Sequence, residues 1–484
     1  MPLTEEGKRR RFKRAGYAKV TEAQGDVSKV NGLLDLAGDD EDAARRVADL
    51  LQAVQRTRAD IPDAAEVRRK LGVGIPLDGA TTVADWLDVF LAGKRKTRRV
   101  TTVAGYGSHI RVHIKPAIGH LRLDKLNVGH LVEMFDGIAD QSEVIAAENQ
   151  ARRDQEAQAT WGRPGRPPAA VREQLAAARA ELAEMPPYRK TNGPATRQAI
   201  RRTLRTALNQ AIGRQLIEFN AARYVELETA ERPTGLLWTA ARVARWRKTG
   251  EVPSPVMVWS PAQLGAFLDA ATDDRLYAFF HLIAHHGLRR GEGVGQSWDD
   301  VDYDALEIHV TSEIVVDGWT PIETRPKTTG SQDTVVIDPE TVDVLKAHRW
   351  RQLAERDEWN AWAAAEREQG RDVALWADTG KVFSAADGRW LHPDVVSKVF
   401  KRIVAEADLP PINLRDLRHG AASLIKAAGG KIEDASAKLR HSSIILTVDT
   451  YTTLFREAEQ ELAVRTAAIV PRARKPRVTR KPPG

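Results

Sequence analysis

Apolar residues recur along this chain with two different periods. In "GDDEDAARRVADLLQAVQRT" they fall three and four apart, the spacing of an amphipathic helix. In "VADWLDVFLAG" the same spacing places Val83, Trp86, Leu87, Phe90 and Leu91 on one face, and Pro116 with Gly119 punctuates the end of a second helix. Further on, "PATRQAIRRTLRTALNQAIGRQLI" lines up Ile200, Leu204, Leu208, Ala211 and Ile212. A later helix begins in "VMVWSPAQLGAFLDAA", where Ser260 suits the N-cap and Pro261 the first helical position. The period then drops to two: Leu306, Ile308 and Val310 alternate, Asp317 and Gly318 make a turn, and Thr334 to Ile337 reads as another strand. These strands predict a three-stranded sheet with Lys327 near a hairpin, after which helical text resumes at Pro339. The expected fold is mainly α with a small antiparallel β-sheet.

Composition divides the text further. Residues 1–75 are highly charged and helix-forming, an arm or small module. Residues 80–232 read as a helical domain interrupted at 141–187 by a helical hairpin rich in Ala, Glu, Arg and Gln, with its loop at "WGRPGRPP". Residues 233–255 read as a linker, 256–466 as a second domain, and 467–484 as a basic, proline-rich disordered tail. At 484 residues more than one core is expected.

Charge adds a partner class. The chain carries 73 Lys plus Arg against 66 Asp plus Glu, a formal charge of +7, which permits a polyanionic partner. Its distribution says more. Lys94, Arg95, Lys96, Arg98 and Arg99 form one basic run, and Tyr188 to Ile217 contains Arg189, Lys190, Arg197, Arg201, Arg202, Arg205 and Arg214 with no acid. Arg197, Arg201 and Arg205 stack at i, i+4 spacing, and such a face gains most when laid against phosphates. A solvated arginine face is the alternative for a single such helix. The absence of cysteine excludes disulfides, thiol catalysis and thiolate zinc sites. His281, His285 and His286 offer an i, i+4 pair but no "HExxH", so no metal is expected. "GEGVGQ" follows no strand and lacks the third glycine of a dinucleotide loop. No apolar run reaches the ~18 residues of a membrane span, which points to a cytoplasmic protein without membrane contact.

The chemical residues lie toward the C-terminus. Tyr451 follows His441 by ten positions and comes after "NLRDLRHG", which holds Arg415 and Arg418. A phenol is a poor nucleophile at neutral pH, since its ordinary pKa is near ~10, so catalytic use needs cations beside it. Arg289 in "GLRRGE", Lys327 in "PKTTGS", Arg418 in "DLRHGAAS", His441 in "LRHSSI" and Tyr451 in "DTYT" supply the order Arg, Lys, Arg, His, Tyr. With Trp298 and "DVD" behind the first box, this segment resembles the catalytic domain of tyrosine recombinases, the phage integrase family. Upstream, "VADWLDVFL", "HIKPAIGHLRLDKL" and "ATRQAIRRTLRTALNQAI" resemble the helical, SAM-like core-binding domain of actinobacterial and phage integrases. "RRFKRAGYAKVTEAQ" resembles only the end of the family's arm-binding module.

The resemblance implies a site-specific DNA recombinase that acts on double-stranded attachment sites of a phage or mobile element as a tetramer in the synaptic complex. It leaves open an excision factor or a host DNA-bending protein as accessory. Tyr451 would attack phosphorus to give a 3′-phosphotyrosyl link. Arg289 and Arg418 would clamp the phosphorane oxygens, Lys327 would protonate the leaving 5′ oxygen, and His441 would hydrogen-bond the phosphate. The covalent link conserves the bond energy, so no cofactor is needed. One position departs from the family: Arg415 stands where most members have histidine, and a permanently protonated guanidinium cannot take the tyrosine's proton. Retained but slower cleavage is expected. The alternatives are a non-catalytic DNA-binding protein of the same fold and a type IB topoisomerase-like activity.

Overall fold

The computed structural model describes residues 11–73, 77, 81–162, 165–231, 233–326, 334–440 and 463, with the side chains of 73, 426 and 427 left aside. Two compact units result, 1–231 and 232–484.

The first unit opens with three helices: α1 (Val20–Asp35), α2 (Glu41–Thr57) and α3 (Ala64–Val73). They share a small core of Val30, Leu33, Val47, Leu50, Leu51, Val54 and Val67. Asp40 caps α2 by accepting from the Asp42 and Ala43 N–H groups, which holds the turn from α1.

A second core gathers α4 (Val83–Thr97), α5 (Val100–His109), α6 (Lys115–Ile118), α7 (Val128–Ala159) and α9 (Pro194–Gly213), while α8 (Ala169–Glu184) adds no residue to it. Val83, Trp86, Leu87 and Phe90 of α4 are fully buried, and Trp86 Nε1 donates to the Ala207 carbonyl of α9 at 3.0 Å. Pro116 does not end the second helix as its position suggests. Instead the turn Ile110–Ile114 widens to π geometry, which accommodates the ring and the missing N–H, and the helix continues to Ile118 before Gly119.

The expected hairpin at 141–187 exists, but its first arm is continuous with the core. α7 begins with Leu131, Met134, Phe135 and Ile138 packed in the helical core and runs on unbroken to Ala159. Its outer part pairs with α8: Gln155 Nε2 donates to the Ala178 carbonyl at 3.1 Å, and Arg152 Nη1 donates to the Leu182, Met185 and Pro186 carbonyls.

The second unit starts at 232 and so takes in 233–255, the stretch that composition marks as a linker. β1 (Leu236–Leu237) pairs in parallel with β2 (Met257–Val258), and α10 (Ala240–Thr249) lies between them. Trp238 is buried, because a large aromatic in mid-linker gains more from packing than from solvent. Its Nε1 donates to the Pro411 carbonyl at 3.1 Å, and Trp259 Nε1 donates to that of Pro410 at 2.8 Å. Both tryptophans thereby hold the loop that leads into Asn413–Arg418.

Ser260 and Pro261 start α11 (Pro261–Ala271) with a reciprocal Ser260–Gln263 capping box. α12 (Tyr277–His286) is buried on nearly all sides and is the centre of the unit. Its own Phe279 and Phe280 pack with Phe267, Phe383 and Phe400 in edge-to-face and tilted pairs, each adding about 0.5–1.5 kcal/mol beyond area burial. α13 (Arg290–Gly295) follows at once.

The strands separate into two groups where one sheet was expected. β3 (Val301–Asp302), β4 (Glu307–His309) and β7 (Thr334–Val336) form an antiparallel three-stranded sheet in the order β3-β4-β7. β5 (Glu313–Asp317) and β6 (Thr320–Thr324) form a separate hairpin, closed by Gly318 and Trp319 with Gly318 at φ 60°. A glycine at the first central position supplies the twist that the hairpin needs. Long α14 (Pro339–Glu368), then α15 (Pro393–Glu406), α16 (Asp416–Ala427) and α17 (Ile432–Lys438) complete the described elements.

Candidate active site

Three of the sequence-selected residues meet in one cleft of about 700 Å³ in the second unit. Arg289 and Arg290 reach it from the turn between α12 and α13, Arg415 and Arg418 from the start of α16, and Ser397 and Lys401 from α15. Asn413 and His419 complete its polar wall, while Ile283, Leu288, Gly291 and Leu414 form the floor. Five permanent cations thus face one hollow, and no carboxylate is among its described lining residues. Arg290 pairs with Asp394 at 2.9 Å and Arg289 with Glu292, and the planar guanidinium forks suit non-bridging phosphate oxygens.

The two principal arginines are held very differently. Arg418 is buried, and its Nη1 and Nη2 donate to the backbone carbonyls of Gly287 and Leu439. It therefore ties the end of α12 to the end of α17. Gly287 permits this approach: its φ is 66°, and an added Cβ would lie 2.5 Å from Leu439 Cδ2. Arg289 is half-exposed, with Nη1 2.5 Å from Glu292 Oε1. Arg415 is exposed, consistent with a rim position.

Glu292 is 1% exposed, and it also accepts from Arg440 Nη2 at 2.5 Å. Burial pushes its carboxyl up, but the Arg440 charge, the Arg289 backbone N–H and the Arg289 guanidinium together bring it below the usual carboxylate range. Asp416, also buried, goes the other way: burial raises it, offset in part by the Asn413 donors.

The glycines of "GEGVG" serve packing. A Cβ on Gly291 would lie 2.9 Å from the Ile314 carbonyl oxygen, and one on Gly295 2.8 Å from Glu313 Cα, so only glycine lets α13 lie against β5. Lys381 secures the same hairpin. It is 4% exposed, and its Nζ donates to Gly295 O, Ser297 Oγ, Ser312 Oγ and the Glu323 carboxylate. Neither Lys381 nor Lys401 stands in a motif, and the only advance signal for Lys401 is a polar stripe of Asp394, Ser397 and Lys401 along α15. Glu292 lay in a motif, but its two-arginine role depends on a contact across 148 residues.

His281 and His286 of α12 are held by a shared hydroxyl. Thr341 Oγ1 donates to Asp338 Oδ2, so it accepts from both His281 Nε2 at 3.1 Å and His286 Nε2 at 2.9 Å. Burial pushes His286 down to about 3, with Lys438 acting in the same direction.

Lys327, His441 and Tyr451 lie outside the described residues. In the first unit, Arg95, Lys96, Arg98, Arg99, Lys190, Arg202 and Arg205 are exposed, and Lys94 is partly exposed. Burial, together with Arg98 and Arg214, pulls the Lys94 ammonium below its ordinary value, which marks a positive cluster there. The uncompensated face expected on α9 is partly compensated. Arg197 pairs with Glu228 at 2.8 Å and donates to the Asn192 carbonyl, while Arg201 Nη1 donates to that of Val225. Arg189 pairs with Glu148. The acid partners come from outside the acid-free window, so local composition could not reveal them.

Comparison with known proteins matches two segments of the chain. Residues 260–457 match the phage integrase family, and residues 82–136 match the N-terminal SAM-like domain of phage integrases. The chain belongs to the phage integrase family. It is 28% identical over 211 residues to a "Tyrosine recombinase XerC-like" protein of Caldanaerobacter subterraneus subsp. tengcongensis, covering 42% of this chain and 51% of the relative. It is 27% identical over 208 residues to the ICEBs1 integrase of Bacillus subtilis, covering 42% and 52%. The chain thus spans about half the length of the curated relatives it matches. Among solved structures, the Tn1549 transposon integrase in complex with transposon right end DNA aligns over 80% of this chain and 100% of that one, at 15% identity and a TM-score of 0.48. No helix among the described residues is long and apolar enough to cross a membrane.

Proposed function

We propose that this protein is a tyrosine-type site-specific recombinase that cleaves and rejoins duplex DNA through a 3′-phosphotyrosyl intermediate. The observation that carries the reading is the cleft itself: Arg289, Arg415 and Arg418, the first distant in sequence from the other two, converge with Arg290 and Lys401 in a cationic hollow roomy enough to admit a phosphodiester, inside the matched segment.

Each step follows from residue chemistry. Attack on a phosphodiester adds negative charge at the non-bridging oxygens, and preorganised guanidinium groups stabilise that charge without reorganising. Arg289, with its exposed fork, is suited to meet an oxygen directly. Arg418 sets the frame by holding Gly287 and Leu439. Arg415 contributes charge and hydrogen bonds but cannot accept a proton, so water or a phosphate oxygen takes the phenolic proton. Tyr451 is the nucleophile, Lys327 the acid for the 5′ oxygen and His441 a phosphate ligand. The exposed basic residues of the first unit, Lys94 to Arg99, Lys190, Arg202 and Arg205, track the duplex backbone. Function as a tetramer on two duplexes belongs to the same reading, as does an excision factor or DNA-bending protein as accessory.

The test uses nicked duplex fragments taken from the DNA that flanks the coding sequence in its host. The native chain should form a covalent protein–DNA adduct, and Tyr451→Phe should abolish it. Tight binding without any adduct would leave a DNA-binding protein of the same fold. Relaxation of supercoiled plasmid without joining of defined sites would indicate topoisomerase-like activity instead.

A further inference from the structure

The second arginine on Glu292 has no place in the mechanism above. Arg440 adopts φ 52°, the left-handed region that costs a non-glycine residue about 1–2 kcal/mol. Its side chain is 9% exposed, and it reaches Glu292 Oε2 across the unit. Arg289 occupies the other oxygen, Oε1, through Nη1 alone, and sends its backbone N–H to Oε2 at 2.9 Å. A carboxylate facing a single arginine prefers the two-bond, fork-to-fork arrangement. A buried carboxylate has the stronger reason to adopt it, because its charge, only partly met at Oε2 by the Arg289 backbone N–H, pulls harder on a guanidinium in low-dielectric surroundings.

We infer that Arg440 is a positioning residue for Arg289: by occupying Oε2 of Glu292, it stops that buried carboxylate from drawing the Arg289 guanidinium out of the cleft. Arg289 remains half-exposed on the cleft wall because the charge that would withdraw it is already shared. This inference rests on the recombinase reading, since it assigns Arg289 its contact with the scissile phosphate.

The experiment compares the native chain with Arg440→Met, Arg440→Lys and the double variant Arg440→Met/Glu292→Gln. It uses the same nicked flanking duplex, with the rate of adduct formation and the equilibrium affinity measured separately. Arg440→Met should slow adduct formation by roughly tenfold to a hundredfold, the cost of misplacing a catalytic group by about 1 Å. Duplex affinity should stay within about twofold, because most phosphate contacts are made elsewhere. Arg440→Lys, which keeps the charge, should recover most of the rate. The double variant should be faster than Arg440→Met, because neutralising Glu292 removes the pull on Arg289. A double variant as slow as or slower than Arg440→Met would overturn the inference, as would an Arg440→Met chain that loses affinity and rate together. If the native chain forms no adduct, the recombinase reading itself fails, a result distinct from either.

Discussion

Acidification loads two histidines that the second unit has buried in the neutral form. His348 is 4% exposed; its Nε2–H donates to the Val382 carbonyl at 2.8 Å, while Nδ1 accepts from Arg351 Nη2 at 3.1 Å. A second ring proton would break the Arg351 bond and set two positive groups against each other. Burial, with Arg351 behind it, pushes His348 down to about 4, and His286 lies at about 3. In the unfolded chain both rings protonate near the ordinary value of about 6.5. The folded values are depressed, so the stability they contribute is complete above about 6.5 and is lost as the pH falls toward 3–4. At about pH 5 the unfolded form of each ring is favoured by RT ln(1 + 10^1.5), roughly 2 kcal/mol. Because both folded values lie well below 5, this figure depends little on them. The pair therefore removes about 4 kcal/mol between about pH 7.5 and 5, a large part of a typical domain's stability. Urea unfolding of the full chain followed by tryptophan fluorescence should show it, with a slope near pH 5 approaching about 1.4 kcal/mol per pH unit per histidine. His348→Gln keeps a donor for Val382 but cannot titrate, and should lower that slope by one proton, as should His286→Gln. A native curve flat between pH 7 and 5, or slopes unchanged by both variants, would refute the reasoning.

Three further outcomes are expected. Gly287→Ala should destabilise the second unit by about 1–3 kcal/mol in urea unfolding, since it meets both a positive φ and Leu439, and should slow adduct formation through Arg418. Arg205→Ala should lower the slope of log affinity against log salt by about 0.9 for one lost phosphate contact, whereas Arg197→Ala, already paired with Glu228, should leave it unchanged. Lys381→Met should cost about 1–3 kcal/mol, below the usual penalty for breaking a buried pair because Glu323 is 37% exposed, and should speed hydrogen exchange of the 313–324 amides.

The apolar periods place most helices, because the register of a buried face is a local property: Val83, Trp86, Leu87 and Phe90 can serve only one side of α4. Ser260 and Pro261 likewise mark a helix start from within one turn. The expectations that changed are those that depended on remote partners. Pro116 lies within a helix, just after a π turn, because the helix around it is held by the first unit's core, and the strands divided into a sheet and a hairpin because β4 pairs with β7 rather than with β5. The linker became part of the second unit through Trp238 and a carbonyl 173 residues away.

At the site the division is the same. The order of boxes and the residue type at each position are written in the chain, since a phosphate site needs permanent cations and short motifs can carry them. Which cations share one hollow is a matter of packing. Sequence alone names Arg289, Arg415 and Arg418, but only the folded structure adds Lys401, gives Arg197 to Glu228 and puts two arginines on one buried carboxylate. The physical reason is range: helical register and capping act over a few residues, whereas the partner of a buried charge is chosen by the whole fold.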